Sequence, residues 1–288
     1  MTKIFSYCLF EPKELPSFRT WDKNKDEQSR YFYNILATIL ANRILYPDYV
    51  SRIYITPNIK DNKLYEVLEI LSPEFVDIVL FDFEYKLTEP SISRMIPLWQ
   101  DNVEVLHPRD LDSIPTDFEY KFVRAFEQSS CSSGTLRTHP SHRLYCTMLA
   151  GLSSFKPKTI PHGIKGDSFK EYFSRSNGKY GCDQDLMIKT FTMDGSYTAL
   201  NFFDCKGYLQ HHNPIFPCIL CESDDLNRVS ISKEKAEVFT KINNLGFNNW
   251  AGEPVDCRGS LTRFILSKFP SVKNQIEKNI SLKSFYLT

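Results

Sequence analysis

Apolar runs of two different periods take turns along the first third of the chain, and this alternation restricts the fold more than any single motif does. Lys3 to Phe10, KIFSYCLF, is a short continuous apolar run of the buried-strand kind. Glu11 to Asp26 is polar, carries proline and reads as a loop. Phe32, Ile35, Leu36, Ile39, Leu40 and Ile44 then recur at helical spacing, which predicts an amphipathic helix ending before Pro47, because the residue preceding a proline disfavours helical backbone. Arg52 to Thr56 is a second strand. Asp61 is placed to cap a helix carrying Leu64, Val67, Leu68 and Leu71, which Ser72-Pro73 stops. Phe75 to Phe81 is a third strand and Val103 to Leu106 a fourth. Strands alternating with helices predict a parallel sheet, with ligands bound at the carboxyl ends of its strands.

The chain has 288 residues, enough to bury a sizeable core as one domain or two closely packed halves. Its 35 Lys and Arg balance 35 Asp and Glu, so it lacks the field of a non-specific nucleic-acid binder. No apolar run is long enough to span a bilayer, and Met1 leads into a strand without a signal-like segment; a soluble, cytoplasmic protein is expected. Eight scattered cysteines in a chain of this size fit reduced thiols; Cys218-Ile-Leu-Cys221 has no second CxxC to complete a zinc site. Neither a G-x-G-x-x-G nor a P-loop pattern occurs, so a diphosphate would have to be held by metal and arginine.

The fourth strand runs into chemistry. In Asn102 to Ser113, NVEVLHPRDLDS, Val103 and Val105 alternate with Glu104, and His107-Pro108 should close the ladder because proline has no N–H to give. If the chain stays extended, Asp110 and Asp112 point to one side with Leu111 turned away. Two carboxylates at a strand end suit a hard divalent cation such as Mn²⁺ or Mg²⁺, which neutralises charge on a departing phosphate. A turn with solvated carboxylates fits the same spacing, and Asp183 and Asp185 form a second D-x-D. Thr116 to Glu119 is a capping-box pattern opening a helix that buries Phe118, Phe122, Val123 and Phe126. Gly134 to Thr138 reads as a strand delivering His139 and His142, and TMLAGLSSF (147–155) as small-residue packing beneath the site. The second half reads as strands and loops rather than long helices.

The blocks WQDNVEVLHPRDLDS, TLRTHPSH and YGCDQDLMIKTF resemble the R-D-x-D-S, H-P-S-H and Y-G-x-D-Q pattern of a family of GT-A glycosyltransferases of large DNA viruses and bacteria, among them chlorovirus enzymes that build capsid glycans. With the YFYNILATILANRILYPDYVSRIYI segment, they run in order across roughly residues 30 to 195. The resemblance implies an α/β, GT-A-like Rossmann-type nucleotide-binding sheet (1–115) with a fused acceptor-binding half (116–288) in a single domain. It implies transfer of a sugar, UDP-xylose or another UDP-sugar being the expected donor, to a hydroxyl of a glycan or viral glycoprotein with inversion.

In that reading Asp112 bridges the metal and the diphosphate, while Asp110 holds the metal through water or the ribose. His139 is the third metal ligand, and His142 bonds the diphosphate; as plain residues the pair fixes a loop equally well. Arg94 matches a family arginine for diphosphate or sugar, against a solvated helix face. Arg109 contacts donor phosphate or pairs with a carboxylate. Asp183 is the general base or a helix cap, with Asp185 a solvated first-turn carboxylate. Gln184 binds sugar hydroxyls, and Trp250 stacks on a sugar or packs under a loop. Two other readings stay open: a metal-dependent nucleotidyltransferase using the same carboxylates, and a non-catalytic glycan-binding module.

Overall fold

The computed structural model describes residues 1–11, 25–61, 63–111, 113–129, 131–137, 148–191, 199–203, 229–244 and 255–279. The predicted alternation is present. Strand β1 (Thr2–Leu9) is followed by α1 (Lys25–Leu45), β2 (Tyr49–Ile55), a 3-10 turn (Pro57–Asp61), α2 (Lys63–Leu71) and β3 (Val76–Leu80). A longer 3-10 segment, Glu89–Trp99, leads to β4 (Val103–Pro108) and α3 (Asp117–Gln128). Then come β5 (Ser133–Arg137), β6 (Ser153–Phe155), α4 (His162–Lys165), α5 (Phe169–Ser174), α6 (Cys182–Phe191), β7 (Ala199–Phe203), α7 (Lys233–Asn244), α8 (Val255–Ser267) and α9 (Pro270–Asn279).

These strands form one mixed sheet in the order β3-β2-β1-β4-β6-β5-β7. The strands β3, β2, β1 and β4 are mutually parallel, β6 runs antiparallel to β4 and β5, and β7 is parallel to β5. The chain is therefore an α/β protein with a Rossmann-like half, its strand order reversing between β1 and β4. One apolar layer joins Phe5, Tyr7, Leu9 and Val105 to the helices α1, α2, α3, α7, α8 and α9. The opposite layer joins Ile4, Val103, Leu106 and Phe155 to the 3-10 segment 89–99, α5 and α6. Among the described residues, no helix is long and apolar enough to cross a membrane.

Val103 and Val105 do not share a face. Thr2 pairs with Val103 but Lys3 pairs with Val105, so Glu104 is an extra residue in the ladder, and this bulge sends the two valines into opposite layers. The strand closes at Pro108, as expected from His107-Pro108. Pro108 lies opposite Ser6, and the Arg109 N–H bonds the Ser6 carbonyl at 2.9 Å. The antiparallel register set by Leu106↔Phe155 and Arg109↔Leu152 puts Ser153 opposite Pro108, which has no N–H to offer. Arg109 supplies the missing donor: its Nη1 bonds the Ser153 carbonyl at 2.5 Å and the Pro108 carbonyl at 2.8 Å.

Helix α1 is not amphipathic in its setting. The apolar stripe Phe32, Ile35, Leu36, Ile39 and Leu40 faces the core, but Ala37, Ala41, Asn34, Thr38 and Asn42 are buried as well. Its other side is covered by α8, where the Thr262 hydroxyl donates to the Tyr33 carbonyl at 3.1 Å. The strand-and-loop expectation for the second half fails at the same place. The VDCRGS stretch opens α8, a helix that runs through Gly259, and α7 to α9 pack on α1 and α2. A glycine and two flanking polar residues suggest a loop locally, but burial of Leu261 and Ile265 against α1 outweighs the loss of about 1 kcal/mol that glycine imposes on a helix.

Candidate functional site

The end of β4 and the start of α6 meet through Arg94. Pro90 starts the segment Glu89–Trp99 and Pro97 removes a donor within it, which suits short 3-10 turns over a long α-helix. Ile92, Met95 and Leu98 anchor that segment to the sheet, leaving the Arg94 side chain 5% exposed near Cys8 at the end of β1. Its Nη1 donates to Oδ1 of Asp110 and its Nη2 to Oδ2 of Asp183. Burial opposes the guanidinium charge, but the carboxylates of Asp110 and Asp183 more than offset it and raise the pKa above its ordinary value. The Arg94 side chain is thus not on a solvated face: it clamps two acids from distant parts of the chain.

The two acids differ in exposure. The Asp110 side chain is 51% exposed and that of Asp183 13%. Asp110 lies one residue beyond the last bridge of β4, at the carboxyl end of the parallel strands and at the point where strand order reverses. It sits against Gly151: a Cβ there would fall 2.1 Å from Oδ2, so only glycine lets the backbone approach this carboxylate so closely. The small-residue stretch beneath the site carries that glycine, which spacing arguments had not singled out.

Beyond Asp110 the chain turns. The Ser113 N–H bonds the Asp110 carbonyl at 3.0 Å, closing a four-residue turn, and the Thr38 hydroxyl of α1 holds it through the carbonyls of Leu111 (3.3 Å) and Ser113 (3.4 Å). Leu111 is buried among the apolar residues of the α1 layer. Asp112, His139, His142 and Trp250 lie outside the described residues. Among the described residues, no three His, Cys, Asp or Glu side chains converge as one metal-holding group.

Asp183 lies in the first turn of α6, whose Leu186, Met187 and Phe191 are buried; it is turned to Arg94. Gln184 uses both ends of its amide on backbone: Oε1 accepts from the Ala150 N–H at 2.9 Å and Nε2 donates to the Met148 carbonyl. It braces the strand of chain that carries Gly151 to Asp110. Asp185 is exposed and accepts from Asn177 at 3.2 Å.

Arg109 points the other way, into the α3 layer. Its Nε donates to Glu119 at 2.6 Å, with both side chains 3% exposed, so of its two expected roles it takes the pairing with a carboxylate. Thr116 caps α3 as predicted, its Oγ1 accepting the Glu119 N–H at 3.2 Å. The box is half formed, because the Glu119 carboxylate turns to Arg109 instead of back to the cap.

No protein-family model matches this chain. Comparison with curated proteins likewise gives no match. The arrangement itself therefore bears the functional argument: one half-exposed and one largely buried carboxylate at the switch point of a Rossmann-like sheet, held together by one buried cation.

Proposed function

We propose that the chain is a metal-dependent glycosyltransferase of the GT-A type, transferring a sugar from a nucleotide diphosphate to a hydroxyl of a glycan. The observation that carries the reading is the clamp: Arg94 joins Asp110, at the carboxyl end of β4, to Asp183, at the start of α6. Those are two of the positions at which the R-D-x-D-S and Y-G-x-D-Q blocks demand carboxylates, and they lie together where a doubly wound sheet receives a nucleotide.

Asp110 fits a hard dication: it offers a carboxylate that Arg94 grips by one oxygen and that remains half exposed. Asp110, with Asp112 and His139 from its flanking blocks, would hold Mn²⁺ or Mg²⁺, and the bound ion would supply charge neutralisation for the departing diphosphate. The remaining roles fall to the chain. Asp183 is gripped through Oδ2, which leaves Oδ1 to accept the proton of an attacking hydroxyl. Arg94 fixes the separation of the metal side and the base side of the reaction, a positional role that replaces the direct diphosphate contact expected for it.

The test is nucleotide release from a panel of UDP- and GDP-sugars, UDP-xylose and UDP-glucose first, with and without Mn²⁺. Metal-dependent release from one donor, reduced about a hundredfold or more in Asp110→Ala and Asp183→Asn, is the expected result. No release from any donor, together with no stabilisation by UDP or GDP in Mn²⁺, overturns the reading.

A further inference from the structure

Three polar residues of α1 form one stripe toward the sheet: Asn34, Thr38 and Asn42, at i, i+4 and i+8. All are buried. The lower two are satisfied by the protein. Asn42 Nδ2 donates to the Tyr7 hydroxyl at 2.6 Å, and Thr38 holds the turn after β4. Asn34 is different: it is 0% exposed, and among the described residues neither its Oδ1 nor its Nδ2 has a hydrogen-bond partner.

Its height on the helix explains the difference. Thr38 bonds the carbonyls of Leu111 and Ser113, which follow the last register pair of β1 and β4, Ser6↔Pro108. One helical turn further toward the N-terminus of α1 rises about 6 Å, or roughly two strand residues. Asn34 therefore lies toward the end of the sheet where the strand order reverses, in the α1 layer, on the opposite side of the sheet from Arg94. A buried amide with both ends unpaired is costly, and at this place the missing partners belong to a ligand.

We propose that Asn34 binds the base of the nucleotide. Its amide presents an acceptor beside a donor, which complements a base edge carrying an N–H next to a carbonyl, as uracil and guanine do. The assignment rests on the nucleotide-dependent reading above and adds a base contact on the α1 side to the phosphate and sugar chemistry on the Arg94 side.

The test is calorimetric binding of UDP, GDP and inorganic pyrophosphate, each with Mn²⁺, to wild type, Asn34→Leu and Asn34→Asp, with the melting temperature of each free protein. Leucine has nearly the shape of asparagine and removes the unpaired groups, so the free Asn34→Leu protein should melt at the same temperature or higher. Its affinity for the preferred nucleoside diphosphate should nevertheless fall about tenfold or more, with pyrophosphate affinity held within about twofold. Asn34→Asp keeps the shape, loses the donor and should lose nucleotide affinity in the same selective way.

Nucleotide affinity unchanged in both variants would overturn the assignment while leaving the transferase reading intact. A lowered melting temperature with pyrophosphate and nucleotide affinity falling in proportion would also overturn it, by making Asn34 structural. A wild type that binds neither UDP nor GDP would remove the transferase reading and this inference with it.

Discussion

Two arginines fifteen positions apart are both buried beside β4, and they are used in opposite ways. Arg109 meets a carboxylate as buried as itself, Glu119, and its Nη1 bonds the carbonyls of Pro108 and Ser153, while its Nη2 has no hydrogen-bond partner among the described residues. Arg94 meets two carboxylates, one of which, Asp110, is half open to solvent. Pairing inside a closed layer repairs a ladder that a proline has interrupted. Pairing at the rim leaves a charged group facing outward with its direction already set. A buried arginine is thus not in itself a sign of structure or of function; the exposure of its partner separates the two.

The largest effect should come from the closed pair. Arg109→Met leaves Glu119 charged and unpaired at 3% exposure, and unfolding by urea should show a loss of about 3–5 kcal/mol. Adding Glu119→Leu should recover part of it, the remainder being the two orphaned carbonyls. No recovery at all would mean that the backbone contacts, not the ion pair, are what Arg109 provides. Arg94→Met should cost less, about 1–3 kcal/mol, because Asp110 can rehydrate. Metal-dependent nucleotide release should nonetheless fall with it, and a variant that keeps full release would erase the contrast between the two sites.

Acid should probe the closed side selectively. His107 lies within β4, its ring between the Tyr49 hydroxyl (3.1 Å) and Ser154 Oγ (2.6 Å); because Tyr49 gives its own proton to Glu127 (2.8 Å), Nε2 carries the hydrogen. Burial, helped by the positive charges of Arg109, Arg124 and Lys3, holds the imidazole pKa well below its ordinary value. Above about pH 6.5 the folded and unfolded imidazoles are both neutral; below it only the unfolded one takes a proton, so stability falls with pH by about 1.4 kcal/mol per unit. Denaturation series at pH 7.5, 6.5 and 5.5 should show this slope reduced in His107→Gln. An identical slope would assign the acid sensitivity to other groups.

The smallest change in stability is expected from Gly151→Ala, within about 1 kcal/mol, since the added methyl meets the movable end of Asp110 and not backbone. It should still lower metal-dependent release, because Asp110 must leave its place against residue 151. Full release from that variant would show that the close approach is incidental to the site.

The Rossmann-like half was legible from periodicity because each element there is dominated by local pattern: apolar runs for β1 to β3, a 3.6-residue stripe for α1, Ser72-Pro73 ending α2. The Thr116 cap was legible for the same reason, a hydroxyl three residues from the N–H it accepts. Misreadings arose where the deciding partner is remote. The bulge at Glu104 is set by register with β1, and the burial of α1 on its outer side by a helix more than two hundred residues later.

The residues by themselves determined which chemistry is present: a carboxylate after a parallel strand, another at a helix start, and an arginine ahead of both in sequence. Tertiary structure alone decided how those groups are employed. Asp110, Arg94 and Asp183 are up to 89 positions apart, so their contact exists only once the sheet and the 3-10 segment have packed. Exposure is likewise a property of that packing, and it gives one buried arginine a half-exposed acid to aim and the other a buried one to neutralise.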